Sequence, residues 1–413
     1  MITIVRVRFD TNPDPASVWP DRLFHNWMQP LRPFSLANFW WSSSHARYPL
    51  EYTLHDPIVM ADPRPSAPPG VDPRDALVDA AIAAATAKVK PDWAGTDILL
   101  LWFAQRTDYF GGGTYDVPIG PVVTKQVAVT VVDTETPFDA VCEELGHSFG
   151  LDHEVNAAGG DYASPYSSMS ARSEGGRFVR PFDPDLPEGA RVTDPTETFI
   201  GQPSQRIVGP SVAAAQFLRD GPFRDSPSVI ALSGDYSRRP AVLRIYALNY
   251  RVRQPPGPLP VLVTIPSNTG DGRSFTVEFR RGGYGYDTAI GGVGRVPAGL
   301  VVHSINPDGR IRYEGVAALS LAATATDWAS RAGDFALRLL MVDPEHEFVD
   351  FAVRGGGRKY FPIRGVLLAG RFRTQHELNA MSHEDMRNTL IVELTKHSDQ
   401  TEFQSYDDED VEG

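Results

Sequence analysis

The chain has 413 residues, 42% of them hydrophobic and 22% charged, the make-up of a globular protein long enough for two or three domains. A net charge of −13 argues against a nucleic-acid partner, and part of that acidity sits in the tail from Tyr406 to Gly413. No run approaches the roughly 20 apolar residues of a membrane span, so a soluble chain is expected, and the single cysteine, Cys142, excludes an intramolecular disulfide.

Met1–Phe9 alternates as a strand does and lacks the charged, apolar and cleavage regions of a signal peptide. The expectation is a cytoplasmic protein, or one exported by a signal-independent route. A tryptophan-rich region runs from Phe39-Trp40-Trp41 to Ile58-Val59-Met60, and a proline-dense loop follows from Asp62 to Pro73. Asp72 as cap and Pro73 as first helical residue then open a helix carried by Leu77-Val78 and the alanines after them. Ile98–Ala104 reads as a strand, Gly111-Gly112-Gly113 as a flexible connection, and Val127–Val132 as an alternating strand. No lysine or helix start follows the glycines, so they do not read as a phosphate cradle.

Thr136-Pro137-Phe138-Asp139 supplies an N-cap, a proline and a first-turn acid for a second helix. On it Glu143 and His147 lie four apart, on one face, where both side chains can reach a common ion. Gly150 lets the helix stop and the chain turn back to present His153. Three ligands and one open position describe a catalytic metal site. Met169 follows sixteen residues after His153, in the turn-rich stretch Ser164–Ser170.

The spacing x-Glu-x-x-His-x-x-Gly-x-x-His with a later methionine resembles the metzincin clan of zinc endopeptidases, with Glu143 where the clan has its first histidine. The runs Ser148-Phe149-Gly150-Leu151-Asp152-His153 and Pro165-Tyr166-Ser167-Ser168-Met169-Ser170 narrow the resemblance to bacterial secreted metalloproteases of the immune inhibitor A kind. The resemblance implies one catalytic zinc held by Glu143, His147 and His153, Glu144 as the general base that activates the metal's water, and Met169 in a Met-turn. It also implies a protein or peptide substrate, paired in extended form with an edge strand near Gln126–Val132. Some metzincins carry a tyrosine two residues after the methionine; here that position is Ala171, which leaves Tyr162 and Tyr166 as the candidates for transition-state stabiliser. Glu is a legitimate zinc ligand, and its negative charge should weaken the ion's Lewis acidity.

Two other readings compete. One is a catalytically inactive metzincin-fold binding protein. The other is a serine hydrolase, because Gly146-His147-Ser148-Phe149-Gly150 matches a nucleophile elbow with Ser148 as nucleophile; the two acids and the helical start before it are not the buried strand that an elbow needs. Calcium near Asp152, Glu154 or Asp161 has no recognisable ligand spacing behind it.

Beyond Phe199 a short helix at Pro210–Arg219 gives way to alternating segments such as Phe275–Arg280 and Leu300–Ile305, with turns such as Asn306-Pro307-Asp308-Gly309 between them. A β-sandwich over roughly 225–350 is expected. It resembles the β domains appended to bacterial metalloproteases, where substrate or carbohydrate binding is common. Ser382-His383-Glu384-Asp385 starts a last helix with Met386, Leu390 and Leu394 on one stripe, and His376, His383 and His397 read as surface histidines. The expected organisation is α+β: a metzincin-like domain over 1–198, built as a twisted mixed sheet with the active-site helix, then a β-rich domain over 199–350 and a C-terminal α/β segment over 351–413.

Overall fold

The computed structural model describes residues 1–11, 20–32, 35–44, 48, 50–107, 109, 111–134, 136–170, 210–219, 226–232, 240–248, 259–281, 285–287, 296–319, 327–330, 333–343, 347–355, 365–368 and 371–374. The helix expected from Ser382, the acidic tail and Ala171 lie outside them. The residues group into two compact units, one of Met1–Val155, Gly159–Pro222 and Gly283–Val296, the other of Asn156–Ala158, Phe223–Gly282 and Pro297–Gly413.

In the first unit the chain forms β1 (Ile2–Phe9), α1 (Asp21–Trp27), α2 (Leu36–Ser43), β2 (Tyr52–Leu54), β3 (Ile58–Met60), α3 (Pro73–Lys88), β4 (Ile98–Phe103), β5 (Gly111–Pro118), β6 (Thr124–Asp133), α4 (Phe138–Ser148) and a helical turn, α5 (Gln216–Arg219). The sheet order is β2-β1-β4-β6-β5, with β3 also beside β1. β1 runs parallel to β2, β3 and β4, and β4 parallel to β6; β5 alone is antiparallel, against β6. The continuous apolar run of β4, buried at all six positions, suits a central strand covered on both faces.

One face of the sheet packs on α3. Asp72 caps that helix through the Arg74 N–H, Pro73 opens it, and Leu77, Val78, Ala81, Ile82 and Ala85 are buried against alternate residues of β1, β4 and β6. Fully burying each of the larger side chains contributes about 1.5–3 kcal/mol. On the opposite face Trp102 meets Phe24 and Trp27 of α1 edge-on, and the Thr130 hydroxyl bonds the Glu144 carbonyl and Ser148 Oγ of α4. The sheet therefore positions the helix that carries the motif.

The edge strand departs from expectation. β6 lies inside the sheet, paired on both sides, and the edge is β5, whose Gly111 and Gly113 pair with Val131 and Val129. Three glycines carry no alternating side chains, so the strand has no periodicity to read. Close packing explains them in part: a Cβ on Gly112 would lie 3.2 Å from the His147 Cβ.

In the second unit follow β7 (Val229–Ala231), β8 (Ala241–Tyr246), β9 (Leu262–Pro266), β10 (Ser274–Arg280), β11 (Gly299–Ile305), β12 (Ile311–Ala318), β13 (Asp327–Ala329), β14 (Phe335–Val342), β15 (Phe348–Gly355), β16 (Gly365–Leu368) and β17 (Arg371–Thr374). One sheet has the order β12-β11-β10-β9-β7, a second β13-β14-β15-β8, and β16 pairs with β17. Val263, Val277 and Val302 of the first sheet share one core with Ile245, Leu337 and Phe351 of the second. The whole is α+β. No helix among the described residues is long and apolar enough to cross a membrane.

His303 of β11 is fully buried, and that burial, reinforced by the Arg280 guanidinium, pushes its imidazole from 6.5 down to about 3. A depressed histidine favours the neutral form in the fold. Its contribution is therefore complete above about pH 6.5 and is lost as pH falls from there towards 3. Replacing His303 with Gln should reduce the stability lost between pH 7 and 4.5 by about 2–3 kcal/mol. Urea unfolding of both proteins at the two pH values checks this, and identical losses would refute it.

Candidate metal centre

Helix α4 starts after Pro137, whose extended backbone occupies the cap position without a side-chain bond. Thr136, expected as the cap, is engaged elsewhere: its hydroxyl accepts from the Asp133 N–H at 2.9 Å and bonds the Asp133 carboxylate at 3.1 Å. At the other end the helix stops as the glycine suggests. Gly150 adopts φ +82°, its N–H donates to the His147 carbonyl at 2.9 Å, and the Leu151 N–H reaches the Gly146 carbonyl at 3.0 Å. Those two bonds form a Schellman motif, which folds residues 151–153 back along the last helical turn.

Leu151 contributes a second time through its carbonyl, which lies 2.9 Å from His147 Nδ1. A carbonyl only accepts, so Nδ1 carries the proton and Nε2 presents its lone pair. That lone pair faces His153 Nε2 at 3.0 Å, and His153 Nε2 lies 3.2 Å from Glu143 Oε1. The three ligand atoms all fall within 4.8 Å of one another, and among the described residues this is the one such cluster of His, Cys, Asp and Glu.

The donor set fits a metal ion. Bonds of about 2.0–2.1 Å to a tetrahedral zinc would place neighbouring ligand atoms about 3.3 Å apart, close to the two spacings observed here. Burial pushes the His147 imidazole down, against its bond to Leu151, while the hydrogen bond that His153 donates to the Glu143 carboxylate carries its imidazole up. Glu143 is buried and the two histidines are half-buried, so the site keeps an open side.

The other sequence candidates separate by position. Glu144 is buried on α4, next to Glu143 and outside the three-atom cluster. Tyr166 is fully buried, whereas Tyr162 is 39% exposed and lays its ring against His153, with ring centres 4.0 Å apart. Tyr162 holds φ +60°, a left-handed conformation that costs a non-glycine residue about 1–2 kcal/mol. Ser148 is the last residue of α4, its Oγ 2.6 Å from Thr130 Oγ1, so a helix stands where an elbow requires a strand. Asp152, Glu154 and Asp161 form no cluster of their own among the described residues.

Met169 is fully buried beside α4, at Gly146. A Cβ on that glycine would strike the Met169 sulfur and lie 3.1 Å from its methyl and 3.2 Å from the Trp40 ring. Gly146→Ala is therefore expected to destabilise the fold by about 1–3 kcal/mol through overpacking. Denaturant unfolding measures it; a variant as stable as wild type would mean that the methionine has room to move.

Several residues at the site left no sequence signal. The Leu151 carbonyl acts through backbone, Gly112 reads as a loop, and Gln216 bonds Asp152 and Glu154 from over 60 positions away in the chain. Comparison with known proteins adds nothing to the geometry: no family model and no curated protein matches the chain.

Proposed function

We propose that the chain is a metzincin-like, zinc-dependent endopeptidase in which Glu143, His147 and His153 hold the ion. The supporting observation is the convergence of these three ligand atoms at a helix end turned by Gly150. Zinc, when bound, supplies Lewis acidity to a carbonyl or water oxygen. Glu144 is the group that accepts a proton from the attacking water and passes it to the leaving amine nitrogen. Tyr162 is favoured over Tyr166 as the donor to the carbonyl oxygen as it gains charge, because its ring lies against His153. An extended peptide would add to the outer edge of β5 from Gly113 onward, since the Gly112 carbonyl is already taken by the Arg74 guanidinium.

Glu143 itself favours a second reading. Its carboxylate adds negative charge beside the ion and lowers its Lewis acidity, and a chain that binds zinc without turnover would be a binding protein.

Zinc-loaded full-length protein incubated with an unfolded protein substrate, with fragments read by mass spectrometry, separates these readings. Cleavage that a chelator stops, zinc restores and a serine-directed phosphonate leaves untouched supports the peptidase. Zinc binding without cleavage supports the binding protein, and cleavage that survives the chelator rejects a metal mechanism.

A further inference from the structure

Gln216 lies 63 positions beyond His153 and is 2% exposed. Its Nε2 donates to the Asp152 carbonyl at 2.6 Å and to Glu154 Oε1 at 2.8 Å, the residues on either side of His153. One amide group thus grips both flanks of the third candidate ligand. Glu154 is fully buried and also fixed through its backbone: its N–H donates to Ser170 Oγ at 3.0 Å, and its carbonyl accepts from the Ser170 hydroxyl at 3.1 Å and the Ala163 N–H at 3.0 Å.

The segment that delivers Gln216 is tied to the same turn. Residues 211–217 are buried, the Ala213 N–H donates to Ser167 Oγ at 3.2 Å, and the Ser168 N–H reaches the Ser211 carbonyl at 3.4 Å. Ser167 Oγ also accepts from the Met169 N–H at 3.3 Å. Hydrogen bonds therefore run from the flanks of His153 through Gln216 to the residues around Met169, and return through Ser170 to Glu154.

We infer that Gln216 is a positioning residue for the metal centre, holding the Asp152 carbonyl and the Glu154 carboxylate on either side of His153 so that its imidazole stands at ligand distance from Glu143 and His147 before an ion arrives. The inference rests on the metal-binding reading above. Preorganisation of this kind raises affinity by reducing what must be ordered on binding, and partners outside the ligand shell typically affect metal affinity by about 10–100-fold. A Gln buried only for packing would stabilise the fold without influencing the ion's coordination.

The test compares full-length wild type, Gln216→Met and the packing control Phe217→Leu, reading Co²⁺ and Zn²⁺ affinity by competition and the ligand-field spectrum of the Co²⁺ forms. Expected is one Co²⁺ per wild-type chain, an affinity about 10–100-fold lower with an altered spectrum in Gln216→Met, and an unchanged spectrum in Phe217→Leu. A folded Gln216→Met with wild-type affinity and spectrum overturns the inference and leaves the metal reading standing. Wild type that binds neither ion overturns both. If Gln216→Met does not fold, Gln216→Asn, which keeps the amide on a shorter stem, is read against the same two outcomes.

Discussion

Exchanging Glu144 for Gln is expected to leave zinc bound and to slow peptide hydrolysis by about 10²–10⁴-fold, the usual contribution of a positioned general base. The exchange isolates one property. Gln has nearly the volume of Glu and similar helix propensity, the residue lies within α4, and its main-chain carbonyl stays bonded to Thr130 Oγ1. Packing and the ligand set are thus retained, while the carboxylate that accepts a proton is lost. Zinc content and kcat/KM measured on the same sample decide the matter. Loss of zinc along with activity would assign Glu144 to metal binding or to the fold, and a variant with full activity would remove it from the chemistry.

Glu143→Ala should lower zinc affinity by more than about 100-fold, beyond the loss typical of partners outside the ligand shell. The residue is buried, and its carboxylate holds His153 at 3.2 Å, so truncation removes a donor and the group that orients another. Glu143→His should behave oppositely. It supplies an imidazole at the same helical position, removes one negative charge beside the ion, and is expected to keep zinc and to retain or raise turnover. A competition titration with a chromogenic chelator reports both affinities, and an Ala variant at full zinc occupancy would take Glu143 out of the ligand set.

How far the sequence reaches is clear from individual residues. The approach of Glu143, His147 and His153 follows from helical spacing and one glycine, because four residues make one turn and Gly150 can take the left-handed conformation that bends the chain back. Helix α3 is equally readable from Asp72 and Pro73. Thr136 misleads because Asp133, three residues earlier, competes for its hydroxyl. β5 hides because glycines give a strand no alternation, and a flexible-looking Gly112 proves to be a close contact with His147. The choice between Tyr162 and Tyr166 turns on a ring contact with His153 and on burial, and Gln216 on a chain return of more than 60 residues. Neither leaves a local pattern.

The most direct measurement is an anomalous difference map at the zinc edge from zinc-soaked crystals of the full chain. The expected result is one strong peak at about 2.0–2.2 Å from the Glu143 carboxylate and from Nε2 of His147 and His153. A map with no peak between these three side chains, in crystals where zinc is present in the soak, would contradict the metal centre and the peptidase reading built on it.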